Sequence, residues 1–574
     1  MRKPRAGTGA GCLGRLSSIA SLRTQLGRRI DELTDSFGAV SGNKRLRLVE
    51  IAYASSTASE TAYLVALGVF AYEAGGALAV GVVGLVRMLP AAAATPFAAL
   101  LGDRYRRERV LLVVALGSAV ALASSAVVFY LGPAEALIYA LAAFHATVST
   151  LFRPALAALV PSLATTPREL VAANGVSLAL ESVGTLIGPV LGGVLVAISS
   201  PGLAFAFGAF AYALAMFLLA QVHVEGRLAA IEPEGAHGVA HALMAGVRVA
   251  ATEPNSRLLI ALVAAQAAVR GSLNVLIVVV TFRFLQVDSA WVGYLTAALG
   301  AGGLFGAVVS PALAGRRLAV PFGVGLILWG LPIALIAAWA NPAAALVLVA
   351  IVGFGNSVED VSIYTLLQRI VPDEVLTRVF GAMFALAVVG LGIGSIVAPV
   401  LVSGLGLRGA LIATGCFLVA ATLLAWRRLT SIDAVAVAPT RELALLNSVP
   451  LFEPLSVAAK EHLASRLAAR SVPAGTTIIS EGEPGDYFYI VVEGHADVTR
   501  GGTHVRSQGP GDHFGEIALL RDVPRTATVT ARDEMELCLI RRDDFLAVVT
   551  GHPAVRAVGE AAVEERFAAD KTRD

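Results

Sequence analysis

A carboxylate and a guanidinium near the end of the chain have types and spacing suited to binding a nucleotide. Glu516 opens a short apolar turn, EIALL, and Arg525 follows shortly before the strand-like segment TATVTA. An ionised carboxylate accepts a hydrogen bond from a ribose 2′-hydroxyl. A planar guanidinium matches a phosphate better than a lysine ammonium does, and backbone N–H groups at the start of the turn face the same anion. These residues predict a pocket for a cyclic nucleotide monophosphate.

The surrounding segment predicts the fold that positions this pair. From Ser471 onward, strand-like runs alternate with turn signals such as PAG at 473–475 and PGD at 510–512. Helical patterns come before these strands and after them, at 543–549 and 553–568. We therefore expect a C-terminal β-roll with flanking helices over residues 448–574.

The composition of the whole chain indicates a membrane protein. Of its 574 residues 56% are hydrophobic and 15% are charged, whereas about a quarter of the residues of a soluble protein are charged. The three cysteines are far apart, so they predict neither disulfides nor a metal site. Because the chain has no phosphate-binding Gly–Lys–Ser loop, metal-ligand cluster or nucleophile arrangement, we expect no enzyme and no catalytic cofactor. We also expect no nucleic-acid partner.

Twelve apolar runs are each near the ~20 residues that a helix needs to cross a bilayer. The longest loop between them, a cytosolic loop at 223–256, separates six spans in 46–222 from six in 257–428, as paired repeats predict. An arginine-rich loop at 102–110 and Arg427–Arg428 indicate that both termini face the cytosol of the inner (plasma) membrane. The fold class is therefore an α-helical polytopic membrane protein of two six-helix halves. The spans lie at about 48–72, 78–101, 109–131, 135–157, 172–197, 202–222, 257–284, 290–312, 319–340, 343–366, 378–403 and 408–426.

Two further segments lie outside the spans and the β-roll. Residues 1–45 are cytosolic and form no cleavable signal peptide. Their apolar residues recur at helical spacing opposite arginines over 14–37, which predicts an amphipathic helix on the inner leaflet or on the protein's own cytosolic face. Residues 429–447 form a short linker that precedes the C-terminal domain.

Ionisable and amide side chains inside the spans are costly in lipid, which makes them candidates for transport or ion coupling. Their distribution over both halves predicts a polar central cavity, with structural ion pairs as the alternative. One hypothesis is that transport is coupled to proton movement through Glu60, Glu181 or Glu359. The many small aliphatic residues of the spans suit a small-molecule, amphipathic substrate. The candidates are Glu60, Arg87, Glu181, Arg270, Asn274, Asn356, Glu359 and Asp360.

The segment GVSLALESVGTLIGPVLGG, at 175–193, carries small residues that allow helices to approach closely. Its proline weakens the helix locally. The segment resembles the fifth-helix antiporter motif of the major facilitator superfamily at every glycine, and close packing alone is the alternative. The motif residues are Gly175, Gly184, Gly188, Pro189, Gly192 and Gly193.

The loop GDRYRRERV at 102–110 resembles the signature of the same superfamily between helices two and three. Its paired arginines after Asp–Arg–aromatic, and the Arg and Pro at 87–90, resemble the drug and siderophore exporter branch. The resemblance implies an exporter in which this loop acts as a conformational latch. A basic loop that only sets topology is the alternative. The charged latch positions are Asp103, Arg104 and Arg107.

Residues 445–568 resemble a cyclic nucleotide-binding domain, from the segment around 450–452 to the cassette FGEIALL…PRTATV. The resemblance implies that Glu516 binds the ribose, that Arg525 binds the cyclic phosphate, and that a final helix with Arg566 and Phe567 covers the base. The expected ligand is cyclic AMP, with cyclic GMP as the alternative because Thr526 suits a guanine amino group. The implied binding residues are Phe514, Gly515, Glu516, Ile517, Ala518, Leu519, Arg525, Thr526 and Ala527.

These features together predict a secondary active transporter that exports its substrate by rocker-switch alternating access and is regulated by a cytosolic cyclic nucleotide. Three alternatives stay open. The domain could be a structural nucleotide-binding tail on a constitutive transporter, the protein could be a receptor without transport, or the cyclic nucleotide could itself be exported.

Overall fold

The computed structural model describes two compact units. The first comprises Met1–Val308, Phe322–Ile363 and Val371–Arg428, and the second comprises Val309–Pro321, Tyr364–Ile370 and Leu429–Asp574. The predicted amphipathic helix before residue 37, the inter-half loop at 223–252 and the final helix with Arg566 and Phe567 lie outside the described residues. The described residues are 37–38, 40–104, 106–132, 134–163, 167–222, 253–309, 317–371, 373–435, 440–452, 455, 460, 463–464 and 466–551.

The described part contains ten helices that are long and apolar enough to cross a membrane. Two of them are each interrupted by non-helical backbone, at Gly75–Gly76 and at Gly406. Gly76 and Gly406 have φ of 64° and 71°, a conformation that glycine adopts without the strain other residues would meet. Each of these helices therefore divides into two segments, which agrees with the predicted number of twelve spans.

The helices follow the predicted spans closely, with two local differences. The fourth span is broken by a turn at Thr150–Leu151, so that one helix ends at Ser149 and the next begins at Phe152. The seventh span ends in a π-helical turn, Val280–Phe284. The helices are α1 (Lys44–Arg104), α2 (Arg107–Leu131), α3 (Glu135–Ser149), α4 (Phe152–Leu163), α5 (Pro167–Ile198), α6 (Pro201–Leu219), α7 (Pro254–Val279), α8 (Ala290–Val309), α9 (Ala319–Ile336), α10 (Pro342–Ile370) and α11 (Asp373–Val435).

Gly184, Gly188 and Gly192 lie where α5 packs against α1, whereas Gly193 packs against the start of α8. A Cβ at Gly184 would lie 2.7 Å from Thr57 Cγ2, and one at Gly188 would overlap Thr61. The Thr61 hydroxyl donates a hydrogen bond to the Gly184 carbonyl at 3.0 Å. The absence of side chains thus lets two helices approach to backbone contact. Gly175 is different, because a Cβ there would meet no atom within 4 Å.

The second unit contains eight strands and several short helices in the part that the structure describes. The elements are α12 (Thr440–Ser448), a 3₁₀ turn (Pro450–Phe452), β1 (Ala468–Val472), β2 (Thr477–Ile479), β3 (Tyr487–Glu493), β4 (Ala496–Arg500), β5 (Thr503–Gln508), β6 (His513–Phe514), α13 (Glu516–Arg521), β7 (Thr528–Ala531), β8 (Met535–Arg541) and α14 (Arg542–Gly551). The predicted linker contains the end of α11 and most of α12.

The strands form two four-stranded antiparallel sheets, with strand orders β1-β8-β3-β6 and β2-β7-β4-β5. Apolar side chains from β3 and β8 pack with helical residues such as Phe452 and Phe545 in one core, and a second core includes Val498 and Val529.

Candidate functional site

The β-roll contains a cavity of about 50 Å³. Eight of the nine predicted nucleotide-binding residues line it, whereas Leu519 is buried in the neighbouring apolar core. The lining residues are Ile479, Val498, Arg506, Phe514, Gly515, Glu516, Ile517, Ala518, Arg525, Thr526, Ala527 and Val529.

Arg525 is buried and held on several sides. Its Nη1 donates to the carbonyl of Gly515 at 2.9 Å and its Nη2 to the carbonyl of Tyr487 at 2.7 Å. Its guanidinium carbon lies 5.8 Å from the centre of the Tyr489 ring, and its backbone N–H donates to the carbonyl of Glu483 at 2.8 Å. The cation is therefore fixed at the cavity wall before any ligand binds.

The charge of Arg525 is retained in spite of this burial. Burial lowers the pKa of the guanidinium from its ordinary value, while Tyr489, Asp486 and Glu516 oppose that shift. Because an arginine pKa starts above about 12, the side chain stays cationic at neutral pH. A buried cation beside a cavity attracts an anion such as a cyclic phosphate.

Glu516 and Gly515 form the turn that faces this cation. Glu516 is only 1% exposed and begins helix α13. Gly515 has φ of 93°, and a Cβ at this position would lie 2.7 Å from Nη1 of Arg525. Glycine is therefore needed here both for the left-handed backbone and for the close approach of Arg525.

A row of paired residues that is apolar except for Arg506, and that sequence reasoning missed, forms another wall of the cavity. Ile479, Val529, Val498 and Arg506 lie opposite one another across the sheet β2-β7-β4-β5. All four line the cavity. The alternation of apolar residues in each strand was visible in the sequence, but which of them meet depends on the pairing register.

A second cavity, of about 310 Å³, lies in the N-terminal half of the membrane unit. Three of the predicted transport candidates line it, namely Glu60, Arg87 and Glu181. Glu60 accepts a hydrogen bond from Arg87 Nη2 at 3.2 Å and its other oxygen lies 2.7 Å from His145 Nε2. The predicted carboxylate therefore sits between a guanidinium and an imidazole.

His145 was not among the sequence candidates, although it is an ionisable residue within a span. Its side chain has no exposed surface, and the rings of Tyr63 and Tyr212 contact it edge-on at 5.2 and 5.4 Å. Its Nδ1 has no hydrogen-bond partner among the residues that the structure describes. The rule that intramembrane ionisable residues are functional candidates would have identified it.

Glu181 forms a second polar cluster in the same cavity. Arg153 Nη2 donates to Glu181 Oε2 at 2.7 Å, and the Tyr53 hydroxyl donates to the same oxygen at 3.2 Å. Both Arg153 and Tyr53 line the cavity, and neither was predicted. The cavity thus holds two separate ion pairs among hydroxyl and apolar side chains.

The remaining transport candidates lie elsewhere. Asn274 lines a third cavity, of about 250 Å³, which it shares with Arg87. The Asn356 amide donates to Asp360 at 2.8 Å. Glu359 is 1% exposed, and its Oε2 has no hydrogen-bond partner in the described part of the chain. The sequence analysis predicted one polar cavity for all of the candidates. None of the three cavities is lined by Arg270, Asn356, Glu359 or Asp360.

The predicted latch residues flank the junction between α1 and α2. Asp103 and Arg104 belong to the last turn of α1, and Arg107 begins α2. The side chains of Asp103 and Arg104 lie outside what the structure describes. The latch therefore stays a prediction from the loop sequence.

Comparison with known proteins identifies both parts of the chain. A family model described as Major Facilitator Superfamily matches residues 49–387 and 312–480. A second model, described as Cyclic nucleotide-binding domain, matches residues 469–552.

Individual relatives match a smaller part of the chain. A cAMP-dependent protein kinase regulatory subunit of Aspergillus niger is 42% identical over 104 residues, which are 18% of this chain and 25% of that protein. A cyclic nucleotide-gated potassium channel, mll3241, of Mesorhizobium japonicum is 38% identical over 126 residues, 22% of this chain and 35% of the channel. This chain therefore spans only about a quarter to a third of these relatives.

A solved structure of the regulatory domain of Toxoplasma gondii PKA with cAMP is 27% identical to this chain. The matched region covers 24% of this chain and 56% of the chain in the solved structure, with a TM-score of 0.22.

Proposed function

We propose, from the premise that this chain belongs to the Major Facilitator Superfamily, that it is a secondary active transporter whose activity a cyclic nucleotide controls. The observation that carries this proposal is the β-roll cavity, where Glu516 and the buried Arg525 stand with six other predicted binding residues. A cyclic nucleotide presents a ribose hydroxyl and an anionic phosphate, which these two side chains match.

The regulatory ligand that the sequence analysis names is cyclic AMP, with cyclic GMP as the alternative. Relatives with "cAMP-dependent" or "cyclic nucleotide-gated" in their names support a regulatory rather than a purely structural role for the domain. Binding alone does not regulate, because the nucleotide must prefer one transport state over the other. We propose that it does so from the cytosolic side of the inner membrane, where the positive-inside rule puts both termini.

The proposed transport mode is export by rocker-switch alternating access. Its support is the likeness of the 102–110 loop to the drug and siderophore exporters and the contact-distance packing of α5 on α1. The substrate we propose is a small amphipathic molecule, since the cavity of about 310 Å³ combines two ion pairs with apolar walls.

A proton is the coupling ion that we propose, with Glu60 and His145 as its binding pair. Imidazole changes charge between pH 5 and 8 when unperturbed, and the 2.7 Å contact joins it to a carboxylate at the cavity wall. Neutralising Glu60 to Gln should abolish transport driven by a pH gradient in proteoliposomes. Ser149→Ala is the control, since it changes a hydroxyl of the same cavity without removing charge. Full gradient-driven transport in Glu60→Gln would disprove proton coupling through this pair.

Asp433 supports a route from the nucleotide domain to the membrane helices. This buried carboxylate lies near the end of α11, just before the nucleotide domain, and accepts the backbone N–H groups of Leu318 and Ala319 at 3.0 and 2.9 Å. Leu318 directly precedes α9 and Ala319 begins it, so Asp433 caps that helix and complements its dipole. A movement of the 429–447 segment would therefore act on the start of α9.

The first experiment is calorimetric titration of the purified full-length protein with cyclic AMP and cyclic GMP. The proposal expects saturable binding that is lost in Arg525→Ala and retained in Arg500→Ala, which removes an exposed guanidinium at the end of β4. Hydrogen exchange in the membrane helices, with and without nucleotide, then tests regulation. Binding without any change in those helices would identify a structural tail or a receptor, and the absence of binding would refute the nucleotide site.

A further inference from the structure

The membrane cavity of about 250 Å³ lies between the two six-helix halves. Its lining residues belong to both segments of α1 in one half and to α7, α8 and α11 in the other half. Two of its polar residues, Thr296 and Ser395, donate their hydroxyl groups to carbonyls of their own helices at 2.7 and 3.0 Å. This leaves Arg87 and Asn274 as the lining side chains whose N–H groups can bind a ligand.

Arg87 is the one charged side chain among the described residues that line this cavity. Its Nη2 donates to Glu60 at 3.2 Å, and the guanidinium forms no other hydrogen bond within the described part of the chain. Because a guanidinium has five N–H groups, Arg87 retains donors for a second acceptor. A buried donor without an acceptor is costly, so a ligand that brings an acceptor to this side chain is stabilised.

The two membrane cavities differ in their balance of charge. The larger one, of about 310 Å³, is lined by two guanidinium groups and two carboxylates, in the pairs Arg87–Glu60 and Arg153–Glu181. The smaller one is lined by Arg87 and by no carboxylate of the described residues, although Glu60 offsets part of the charge from the larger cavity. Charges interact more strongly in a low-dielectric interior than in water, so the smaller cavity favours anions over cations.

Asn274 provides a second hydrogen-bond donor at the smaller cavity. It lies on α7 between Leu273 and Val275, which are buried, whereas Asn274 itself is exposed. Its amide nitrogen donates to no other residue in the described part of the chain. An uncharged amide can donate to an acidic group without adding a charge of its own.

The remaining walls of the smaller cavity fit a hydrocarbon body. Aliphatic side chains come from each of the four helices that line it, such as Leu64 on α1, Val275 on α7, Val292 on α8 and Leu391 on α11. Removing apolar surface from water against such walls is favourable. A ligand with several charges would bury some of them without partners, which is costly. One acidic group on an apolar body is therefore the best match.

We propose that the smaller cavity is a substrate site for lipophilic monoanions, in which Arg87 binds the acidic group and Asn274 donates a further hydrogen bond to it. The proposal rests on the proposed transport function and deepens it by naming the charge of the amphipathic substrate. A neutral molecule with the same body loses the charged contact with Arg87. A cation with the same body meets a like charge there.

The test measures binding of tritiated octane-1-sulfonate to the full-length protein in lipid nanodiscs by scintillation proximity. This probe stays ionised at neutral pH, and empty nanodiscs measure its partition into the lipid. Unlabelled octan-1-ol and octylammonium carry the same chain with a neutral and a cationic head. We expect unlabelled octane-1-sulfonate to displace the label at concentrations at least tenfold lower than octan-1-ol, the scale of a hydrogen bond to a charged group, and octylammonium not to displace it.

Substitutions then locate the site. Arg87→Gln should weaken binding of octane-1-sulfonate by roughly ten- to a hundredfold, and Asn274→Leu, which removes a neutral donor, by roughly two- to tenfold. Arg257→Gln is the matched control and should leave the affinity unchanged, because Arg257 is exposed in the first turn of α7 and lines none of the three cavities. The comparison of the three head groups on the unaltered protein stands even if Arg87→Gln does not fold.

Several results would overturn the proposal and leave the transport function intact. Equal displacement by all three head groups would identify an apolar site without charge selection, and binding no stronger than to empty nanodiscs would remove the anion site. Loss of binding in Arg153→Gln with full binding in Arg87→Gln would move the anion to the larger cavity. The transport function fails separately, if octane-1-sulfonate binds through Arg87 but shows no gradient-driven flux in proteoliposomes.

Discussion

Replacing Glu516 by Gln tests the ribose contact without changing the shape of the side chain. The carboxylate is 1% exposed and lines the nucleotide cavity, so its hydrogen bond to a ribose hydroxyl would be screened little by water. A hydrogen bond to a charged group contributes about 1.5–3 kcal/mol, and each 1.4 kcal/mol is a factor of ten in affinity. We expect Glu516→Gln to weaken binding of a cyclic nucleotide by roughly ten- to a hundredfold.

The decisive comparison uses a ligand without the hydroxyl. A 2′-deoxy cyclic nucleotide lacks the group that Glu516 binds, so Glu516→Gln should change its affinity little. The two substitutions, one in the protein and one in the ligand, form a double-mutant cycle that isolates this contact. Calorimetric titration of the full-length protein measures all four affinities, and thermal unfolding without ligand checks the fold. An equal loss for both ligands would refute the ribose assignment, because the carboxylate would then act only through its charge near Arg525.

Four further predictions follow from the contacts described above. Gly515→Ala should weaken nucleotide binding by tenfold or more, because a Cβ 2.7 Å from Arg525 Nη1 displaces the guanidinium and because φ of 93° strains alanine by about 1–2 kcal/mol. Calorimetry measures the affinity, and binding as tight as in the unaltered protein would contradict the prediction. His145→Gln should lower gradient-driven transport as Glu60→Gln does, and unchanged dependence on the pH gradient would exclude the imidazole. Asp433→Ala removes the cap of α9, which typically costs about 1 kcal/mol of stability. It should abolish the effect of nucleotide on hydrogen exchange in the membrane helices and leave the calorimetric affinity for the nucleotide unchanged. An effect of nucleotide that persists in this variant would eliminate the route through Asp433. Hydrogen bonds from the His495 backbone and ring lower the pKa of Asp533, so the stabilising effect of this carboxylate is present at neutral pH and is lost as pH falls through the lowered pKa. Asp533→Asn should therefore lower the thermal unfolding midpoint at pH 7 but not in strong acid. An equal decrease of the midpoint at both pH values would argue against a charge effect.

The helical breaks of the membrane part were predictable because they depend on local chemistry. The predicted spans leave gaps at residues 73–77 and 404–407, and the structure has its non-helical residues at Gly75–Gly76 and Gly406. A run of about 20 apolar residues and a glycine that can adopt positive φ are both readable from adjacent positions. Periodicity and turn signals located the strands of the β-roll for the same reason.

The nucleotide cavity was predictable only in part. Glu516 and Arg525 belong to one contiguous segment, so their proximity follows from a single turn and helix. Arg506 and Ile479 reach the cavity through strand pairing, and pairing register depends on the whole sheet. No local pattern therefore distinguishes Arg506 from its neighbours on the same strand.

The polar groups in the membrane show the same limit. Intramembrane burial marked Glu60 and Glu181 as candidates, but their partners lie 85 and 28 residues away in sequence, at His145 and Arg153. Those contacts depend on how α1, α3, α4 and α5 pack, which no local pattern encodes. Glu359 was predicted with them, yet the structure buries it away from these cavities.

The location of Arg87 has a consequence for how the membrane cavities fill. This side chain lines both the cavity of about 310 Å³ and the cavity of about 250 Å³, and it is bonded to Glu60 at 3.2 Å. One guanidinium cannot bind two anions at full strength, so an anion arriving in the smaller cavity competes with Glu60 for the same cation. The two cavities therefore share one positive charge, and an anion in the smaller cavity would weaken the Arg87–Glu60 pair that lines the larger one.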